Sequence, residues 1–269
     1  MFQVTENRVL EEQVLFPSSN GADLYGVLYH ARDEKKGAIV VCSPEGDERI
    51  WSQRVLVNFS RLLAAHGYSV LRFDYMGQGE SEGTYEESTI STRREDVESA
   101  IGFLLERTRS AQAGLLGLRL GGAIACLAAS RNSSVNSLAL WEPVTDLRAY
   151  LYNLLRVNVS FQMVMNKGIS KNREKLVEEI LAGGKVSING FYLTKDFIQE
   201  ALGTKLEGIL NPVGKRFVAL LPGTPFPAEG GGEILRLDFP VIWKEPKVYH
   251  ARPRALLEET LNWIRQNNE

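Results

Sequence analysis

The sequence GLRLGG, residues 117–122, places an arginine in a sharp turn between an apolar run and an alanine-rich helix. The glycines predict a tight change of direction, which we call the elbow, and Arg119 is its third residue. A residue at this point lies beside the free N–H groups of a helix N-terminus, where an anion is favoured. Arginine has no lone pair and cannot attack a carbonyl group, but its forked guanidinium binds carboxylates and phosphates. The elbow is therefore either an anion site or a turn kept only for packing.

Carboxylates follow two other apolar runs of the chain and could pair with Arg119. Glu142 comes directly after LALW, and Glu45 lies shortly after GAIVVC. A buried arginine needs such a partner, because an unpaired buried charge is very costly. Ser43, close to Glu45, could act as a substitute nucleophile or contact a ligand, although a serine at a strand end more often forms a structural hydrogen bond. We expect a carboxylate, that of Glu142 or Glu45, within hydrogen-bonding distance of the guanidinium.

Strand and helix patterns alternate along the chain and must position these residues. Continuous apolar runs predict buried strands, and amphipathic stretches predict helices between them. The short connections indicate a mostly parallel sheet covered by helices, whose ligands bind beyond the carboxyl ends of the strands. The predicted strands form a hairpin around Asn20-Gly21 and then cover 37–43, 68–75, 113–118, 135–144, 215–222 and about 239–249, with helices at 55–68, 91–107, 121–129 and 252–266.

The alternation is interrupted after Asp146. Residues 147–211 are polar and amphipathic, and they predict a helical cap inserted into the α/β core. The core then consists of residues 1–146 and 212–269. A cap in this place would cover the strand ends at which the elbow lies, so it could exclude water from a ligand there.

This order of elements resembles the α/β-hydrolase family, in which a serine stands at the elbow in the motif G-x-S-x-G. The segment FDYMGQGESEG, residues 73–83, is similar to the loop after the fourth strand in esterases, lipases and aminopeptidase-like members. Hydrolase-like proteins of bacterial exosortase and exopolysaccharide systems are also similar, and some of them carry GLRLG at the elbow. The resemblance implies the α/β-hydrolase fold with an inserted cap, and it maps the family nucleophile onto Arg119.

The resemblance also assigns the remaining site residues. The family histidine maps onto His250, which lies between the last predicted strand and the final helix. The family acid usually follows the strand at 215–222, where Glu229 is the only acid nearby; other members place it one strand earlier, where this sequence offers Glu142 and Asp146, and we favour Glu142 because it directly follows an apolar run. The oxyanion hole of the family uses the N–H of the residue after the nucleophile, here Leu120. A second N–H comes from the loop after the third strand, where Pro44 has none, so Glu45 or a neighbour would donate.

The composition limits the partners of the protein. Of its 269 residues, 31 are basic and 33 are acidic, a balance that provides no field for nucleic acid or an anionic membrane. No apolar run has the length of a membrane span, and no paired histidines or CxxC motif indicates a metal. Arg93 lies among acidic residues, a pattern typical of a solvated helix face. We expect a cytoplasmic protein without a metal or cofactor, whose ligand is a small molecule.

Three functions fit these residues. In the first, the protein is a catalytically degenerate hydrolase that binds a small anionic or acyl ligand between sheet and cap. In the second, it is a working carboxylic-ester or amide hydrolase whose nucleophile is water or a residue outside the elbow. In the third, it is a protein-interaction module whose cap recruits a partner in polysaccharide or lipid assembly. The arginine at the nucleophile position favours the first function.

Overall fold

The computed structural model describes residues 9–32, 35–166, 171–210, 213, 215–227, 232–244 and 253–267. The strands are β1 (Glu11–Pro17), β2 (Asp23–Tyr29), β3 (Gly37–Cys42), β4 (Tyr68–Phe73), β5 (Ala113–Leu118), β6 (Val135–Trp141), β7 (Val186–Ile188), β8 (Phe191–Leu193), β9 (Lys215–Leu220) and β10 (Glu233–Arg236). The helices are α1 (Gly46–Ala65), α2 (Ile90–Thr108), α3 (Leu120–Ala129), α4 (Leu147–Asn166), α5 (Arg173–Leu181), α6 (Lys195–Gly203) and α7 (Arg254–Asn267), and a 3₁₀ turn covers Tyr85–Glu87.

The main sheet has the strand order β1-β2-β4-β3-β5-β6-β9-β10. The first two strands form the expected antiparallel hairpin, β2 pairs antiparallel with β4, and the remaining neighbours pair in parallel. Helices lie on both faces of this sheet, which confirms the predicted α/β-hydrolase fold. The elbow connects β5, near the middle of the sheet, to α3, so Arg119 lies at the carboxyl ends of the parallel strands.

Each parallel strand contributes side chains to two separate cores, because successive residues point to opposite faces. In β3, Val40 packs into the core beneath α2, α3 and the cap, whereas Val41 packs into the core beneath α1 and α7. Trp141 ends β6 in the second core, where its indole N–H donates to Thr260 of α7 at 2.9 Å. The sheet is thus buried on both faces, with one helical layer packed against each face.

Two boundary predictions are wrong. The first helix begins at Gly46 and not at residue 55. The prediction started too late because the opening turns of this helix are polar and show no apolar repeat in the sequence. Among the described residues the last strand of the sheet lies at Glu233–Arg236, and residues 239–244 are not in a strand. Pro240 interrupts that segment by removing a backbone donor, and Phe239 and Trp243 are buried from irregular structure instead. The rest of that predicted strand, residues 245–249, lies outside the described residues.

The inserted region between β6 and β9 is not wholly helical. It contains α4, α5 and α6, but a small antiparallel hairpin of β7 and β8 separates the last two helices. The turn of this hairpin is Asn189-Gly190, in which both residues have positive φ, of 48° and 91°. That dipeptide is typical of a two-residue hairpin turn, since asparagine and glycine tolerate the left-handed region. In the part of the chain that the structure describes, no helix is long and apolar enough to cross a bilayer.

The glycines of the elbow allow a close approach between helix and sheet. A Cβ atom on Gly121 would lie 2.2 Å from the carbonyl oxygen of Cys42 and 2.5 Å from that of Ser43, and both are backbone atoms of the neighbouring strand end. A Cβ on Gly117 would lie 2.5 Å from the Cα of Gly122. Glycine at these positions is therefore a packing requirement of the turn and does not depend on any chemistry carried by Arg119.

This packing predicts that Gly121→Ala lowers the free energy of unfolding by about 1–3 kcal/mol or more, because backbone atoms must shift to admit the methyl group. The matched control is Gly102→Ala in the interior of α2, where nothing lies within 4 Å of the added Cβ. That change should raise stability by about 0.5–1 kcal/mol, since alanine is the better helix former. Urea unfolding of both variants measures the difference, and equal effects would contradict the proposed clash.

Candidate functional site

Arg119 holds an unusual backbone conformation at the elbow, with φ of 54° and ψ of −121°. Its N–H donates to the carbonyl of Trp141, and its own carbonyl accepts from Gly122 and Val144. Such a conformation costs a residue with a side chain about 1–3 kcal/mol, so the surrounding contacts must impose it. The turn therefore keeps a sharp, strained geometry and presents the arginine side chain at the ends of the parallel strands.

The guanidinium of Arg119 is paired with carboxylates from two elements. Its Nε donates to Oε1 of Glu48, in the first turn of α1, at 3.0 Å. Its Nη1 donates to the backbone carbonyl of Glu142 at 3.1 Å and lies 3.9 Å from Oε2 of the same residue. The carboxylate within hydrogen-bonding distance is that of Glu48, which was not singled out from the sequence. The expected carboxylate of Glu142 forms only the longer ion pair. Glu45, the other expected partner, lies elsewhere.

Aromatic rings enclose the same guanidinium. The Arg119 Cζ atom lies 5.9 Å from the ring centre of Tyr150, in cap helix α4, and 5.8 Å from that of Trp243. The Tyr150 hydroxyl donates to Oε2 of Glu48 at 3.0 Å, so both oxygens of that carboxylate are used. Only 22% of the Arg119 side chain stays exposed. The cation is thus held by an ion pair, a carbonyl group and two ring faces.

The enclosure changes the pKa of two groups beside Arg119, the Glu48 carboxylate and the Tyr150 hydroxyl. Burial raises the pKa of Glu48, and the attraction and hydrogen bond from Arg119 oppose that rise, as do Tyr150 and Lys244. Burial likewise raises the pKa of the Tyr150 hydroxyl well above its usual value, so that hydroxyl stays a hydrogen-bond donor. Burial thus disfavours the charged form of Glu48, and the neighbouring Arg119 favours it.

Glu142 joins the ends of β6 and β9 and also has positive φ, of 45°. Its Oε1 accepts hydrogen bonds from the backbone N–H of Leu221 and, at 2.8 Å, from the hydroxyl of Thr224. The carboxylate is buried and fixed by these donors, with its second oxygen turned towards Arg119. Glu142 therefore lies beside Arg119. Its role as the acid of a functional site stays a prediction.

Glu45 pairs with Arg93 of α2. The two side chains form a buried ion pair, and the hydroxyl of Tyr85 also donates to Glu45. Arg93 donates to Ser88 at 3.0 Å and lies 5.4 Å from the ring centre of Phe197 in cap helix α6. The interpretation of Arg93 as part of a solvated face is wrong. Burial lowers the pKa of Arg93 to about 10, which leaves it cationic at neutral pH.

The other predicted residues occupy different parts of the site. Leu120 is the first residue of α3, so its N–H has no acceptor within the helix. Ser43 follows β3 and is buried, but no hydrogen bond joins it to Arg119 in the described structure. His250 lies outside the described residues. From the segment between β10 and α7, the residue observed against Arg119 is Trp243.

The remaining histidines are used elsewhere. His30 contacts Glu12 at 2.8 Å on the edge hairpin, and His66 contacts the carbonyl of Leu62 at the end of α1. Within the described ranges, therefore, no histidine stands beside Arg119, and no group of three or more potential metal ligands is present. The described site is an arginine enclosed by glutamates and aromatic rings.

Residues 33–189 match the family described as serine aminopeptidase, S33. This match covers more than half of the chain. The chain belongs to the serine aminopeptidase S33 family. It is also 34% identical over 114 residues to the human mitochondrial palmitoyl-protein thioesterase ABHD10, and the match covers 42% of this chain and 36% of that protein. The chain thus matches little more than a third of the length of this relative.

Solved structures of other proteins superpose on this chain. The α/β hydrolase GrgF of Penicillium sp. sh18 superposes with a TM-score of 0.68 at 15% identity, over 97% of this chain and 99% of GrgF. An esterase of Pyrococcus furiosus superposes with a TM-score of 0.64 at 13% identity, over 97% of this chain and 92% of the esterase. At these identities the similarity shows the α/β-hydrolase fold alone.

The buried pair of Glu45 and Arg93 predicts a large cost when one partner is removed. Arg93→Met should lower the free energy of unfolding by about 3–5 kcal/mol, because Glu45 would be left as an unpaired buried charge. Adding Glu45→Gln to that variant should recover part of the loss.

The matched control is Arg94→Met, at the next position of the same helix, where the arginine pairs with Glu98 one turn along at 2.5 Å. Its loss should cost less than about 1 kcal/mol, as for other pairs near the surface. Chemical denaturation measures all three variants, and equal losses for Arg93→Met and Arg94→Met would contradict the role given to the buried pair.

Proposed function

We propose that this S33 family member is a catalytically degenerate hydrolase that binds a small acyl or anionic ligand between the sheet and the cap. One observation carries the proposal: the position at which the family presents its nucleophile holds the guanidinium of Arg119, paired with Glu48 and Glu142. A cation without a lone pair cannot form the covalent intermediate of a serine hydrolase.

The groups around Arg119 support a binding role over a catalytic one. Glu142 accepts from Leu221 and Thr224, and the ring of Trp243 lies against the guanidinium. A general base needs a nucleophile within hydrogen-bond reach. Among the described residues, no serine or threonine hydroxyl and no cysteine thiol is hydrogen-bonded to Arg119. The enclosure thus stabilises a permanent cation at the position where a serine hydrolase needs a hydroxyl that can give up its proton.

A ligand oxygen can still be recognised here. The guanidinium has five N–H donors, and in the described part of the chain only Nε and Nη1 make hydrogen bonds. The remaining donors belong to a side chain that is partly exposed, at a helix N-terminus whose first N–H groups are also available. An acyl carbonyl or a carboxylate would accept from these donors.

The charges of the site favour an acyl oxygen over a full anion. Glu48 and Glu142 both face Arg119, so an incoming anion would be repelled by two carboxylates or would have to displace one of them. A neutral carbonyl oxygen accepts a hydrogen bond without that repulsion. The human relative is named for the removal of palmitoyl groups, which supports an acyl ligand class for this chain as well.

The proposal predicts that conventional serine-hydrolase activity is absent or very weak. We expect no stoichiometric labelling by a fluorophosphonate and no robust turnover of short-chain p-nitrophenyl esters, because only binding and oxyanion-hole effects would remain. Arg119→Ser should restore little activity, because the sequence around His250 departs from the family pattern and offers no complete acid–histidine pair. Stoichiometric labelling of any serine in the unmodified protein would instead support the working hydrolase with a nucleophile outside the elbow.

The binding part predicts that octanamide and octanoate raise the melting temperature in a saturable way. Octanamide should bind at least as tightly, because it carries the acyl oxygen without the charge that Glu48 and Glu142 oppose. Inorganic phosphate at the same ionic strength tests an anion without an acyl chain.

Arg119→Ala should lose most of these shifts, whereas the control Arg131→Ala, at an exposed position just beyond α3, should keep them. An unchanged response in Arg119→Ala would show that the arginine only stabilises the turn and takes no part in binding.

A further inference from the structure

The carboxylate of Glu48 lies inside the elbow site, and both of its oxygens accept hydrogen bonds. Oε1 accepts from Nε of Arg119 at 3.0 Å, and Oε2 accepts from the Tyr150 hydroxyl at 3.0 Å. Only 18% of the Glu48 side chain is exposed. The carboxylate thus has a cation on one oxygen and a neutral donor on the other, and water contributes little to stabilising its negative charge.

The guanidinium of Arg119 is already faced by two carboxylates. Glu48 contacts its Nε, and Oε2 of Glu142 lies 3.9 Å from its Nη1. Among the described residues, the further cation that acts on Glu48 is Lys244, whose exposed charge is screened by water. A ligand with a permanent negative charge would bring a third anionic group to one enclosed guanidinium. Its binding therefore requires that one carboxylate be displaced or neutralised.

Glu48 is the carboxylate that can be neutralised at lower cost. Oε1 of Glu142 accepts from the N–H of Leu221 and from the Thr224 hydroxyl, and these donors favour its ionised form whether or not a ligand is bound. Oε1 of Glu48 instead accepts from Arg119, the group for which an incoming anion competes. Burial raises the pKa of Glu48, and Arg119 is the first of the groups that oppose this rise. A ligand that takes the guanidinium therefore leaves Glu48 as a poorly stabilised charge.

The other charged residues at the start of α1 do not compensate Glu48. Asp47 accepts a hydrogen bond from the turn of the cap hairpin, and Arg49 forms an ion pair with the loop after β4. Glu45 is paired with Arg93. The charge state of Glu48 is thus governed by the residues that face it from the elbow, from α4 and from the segment after β10.

We propose that the elbow site takes up one proton with each anionic ligand, and that Glu48 receives this proton when the N–H groups of Arg119 turn to the ligand. The inference rests on the proposed function, since it concerns ligands of the same site. The proton comes from solvent and binds Oε1, the oxygen that Arg119 leaves, while Oε2 keeps the hydrogen bond from Tyr150. The protonated Oε1 can then donate to the anion. A neutral acyl ligand brings no charge and requires no proton.

Proton uptake makes the affinity for anions depend on pH. An anion binds the protonated form of Glu48 better, so it raises the pKa of Glu48 further, and its affinity is highest at acid pH. As the pH rises above the pKa of Glu48 in the ligand-free protein, the affinity should fall by up to about tenfold for each pH unit. The affinity for octanamide should stay unchanged over the same range. The site thus distinguishes a free acid from a neutral acyl group most strongly at high pH.

Isothermal titration calorimetry with octane-1-sulfonate tests the proposal on the unmodified chain. This ligand stays ionised at any working pH, so a proton taken up on binding must go to the protein and not to the ligand. Titration at one neutral pH, in two buffers with different enthalpies of ionisation, measures the number of protons bound. We expect uptake of about one proton for each sulfonate and of none for octanamide.

Two variants assign the proton to a residue. Glu48→Gln keeps a side chain of the same shape without the titrating group, so it should bind octane-1-sulfonate without proton uptake and with an affinity that no longer falls as the pH rises. The matched control Asp47→Asn removes a carboxylate from the same turn of α1 and should keep both the uptake and the pH dependence.

The outcomes separate this inference from the proposed function. If octanamide binds and the sulfonate binds without proton uptake, or fails to bind even at acid pH, this inference is wrong and the acyl site remains. Equal uptake in Glu48→Gln and the unmodified chain would also contradict it. If neither ligand binds, the proposed function fails together with the inference.

Discussion

The need to compensate one cation at the sharpest turn of the sheet organises this end of the molecule. Arg119 cannot lie unpaired among buried groups, and its partners come from separate parts of the chain. Glu48 comes from the start of α1, and Glu142 from the end of β6. Tyr150 brings in the cap and Trp243 the segment before the last helix. The arginine thus joins core and cap in the place where the family would admit a substrate.

The start of α1 provides carboxylates for two buried arginines. Glu45 immediately precedes the helix and Glu48 lies in its first turn, yet they pair with different arginines, Arg93 and Arg119. Both carboxylates stand at the positive end of the helix dipole, which offsets part of the cost of burying them. One short stretch of chain therefore supplies the counter-charges for two buried cations, one beneath α6 of the cap and one at the elbow.

The fold could be predicted from the sequence more completely than the site. Apolar runs of strand length and glycine at the turns are local signals, and they place β1 to β6, β9 and the elbow close to their observed bounds. The start of α1 was missed because its first turns, GDERIWSQR, carry few apolar residues. Glu48 was missed for the same reason, since nothing in its own neighbourhood of the sequence marks it as a partner of Arg119.

The burial of Arg93 could have been predicted from its position on α2, but the acidic residues beside it in the sequence suggested exposure instead. Its acidic neighbours suggested a solvated face. However, Ile90 precedes Arg93 and Val97, Ala100 and Leu104 follow it at helical spacing on the same side of α2, and all four are buried. A charged residue in the centre of an apolar stripe must find a buried partner. Position on the helix face was therefore more informative than the charge of adjacent residues.

The backbone conformation of the elbow does not depend on which side chain stands at residue 119. Arg119 keeps φ of 54° and ψ of −121°, although no nucleophile benefits from that strain. The close approach of Gly121 to Cys42 and Ser43 shows why: the turn is imposed by how tightly α3 packs on the neighbouring strand end. The glycine packing that imposes this turn does not depend on the side chain at residue 119, so the presence of the turn carries no information about activity. What the site can do is decided by the side chains it collects, here a guanidinium whose charge is already balanced by glutamates. A partner for that guanidinium must then be selected by shape and hydrogen bonding, because the charge of the arginine has been compensated within the protein.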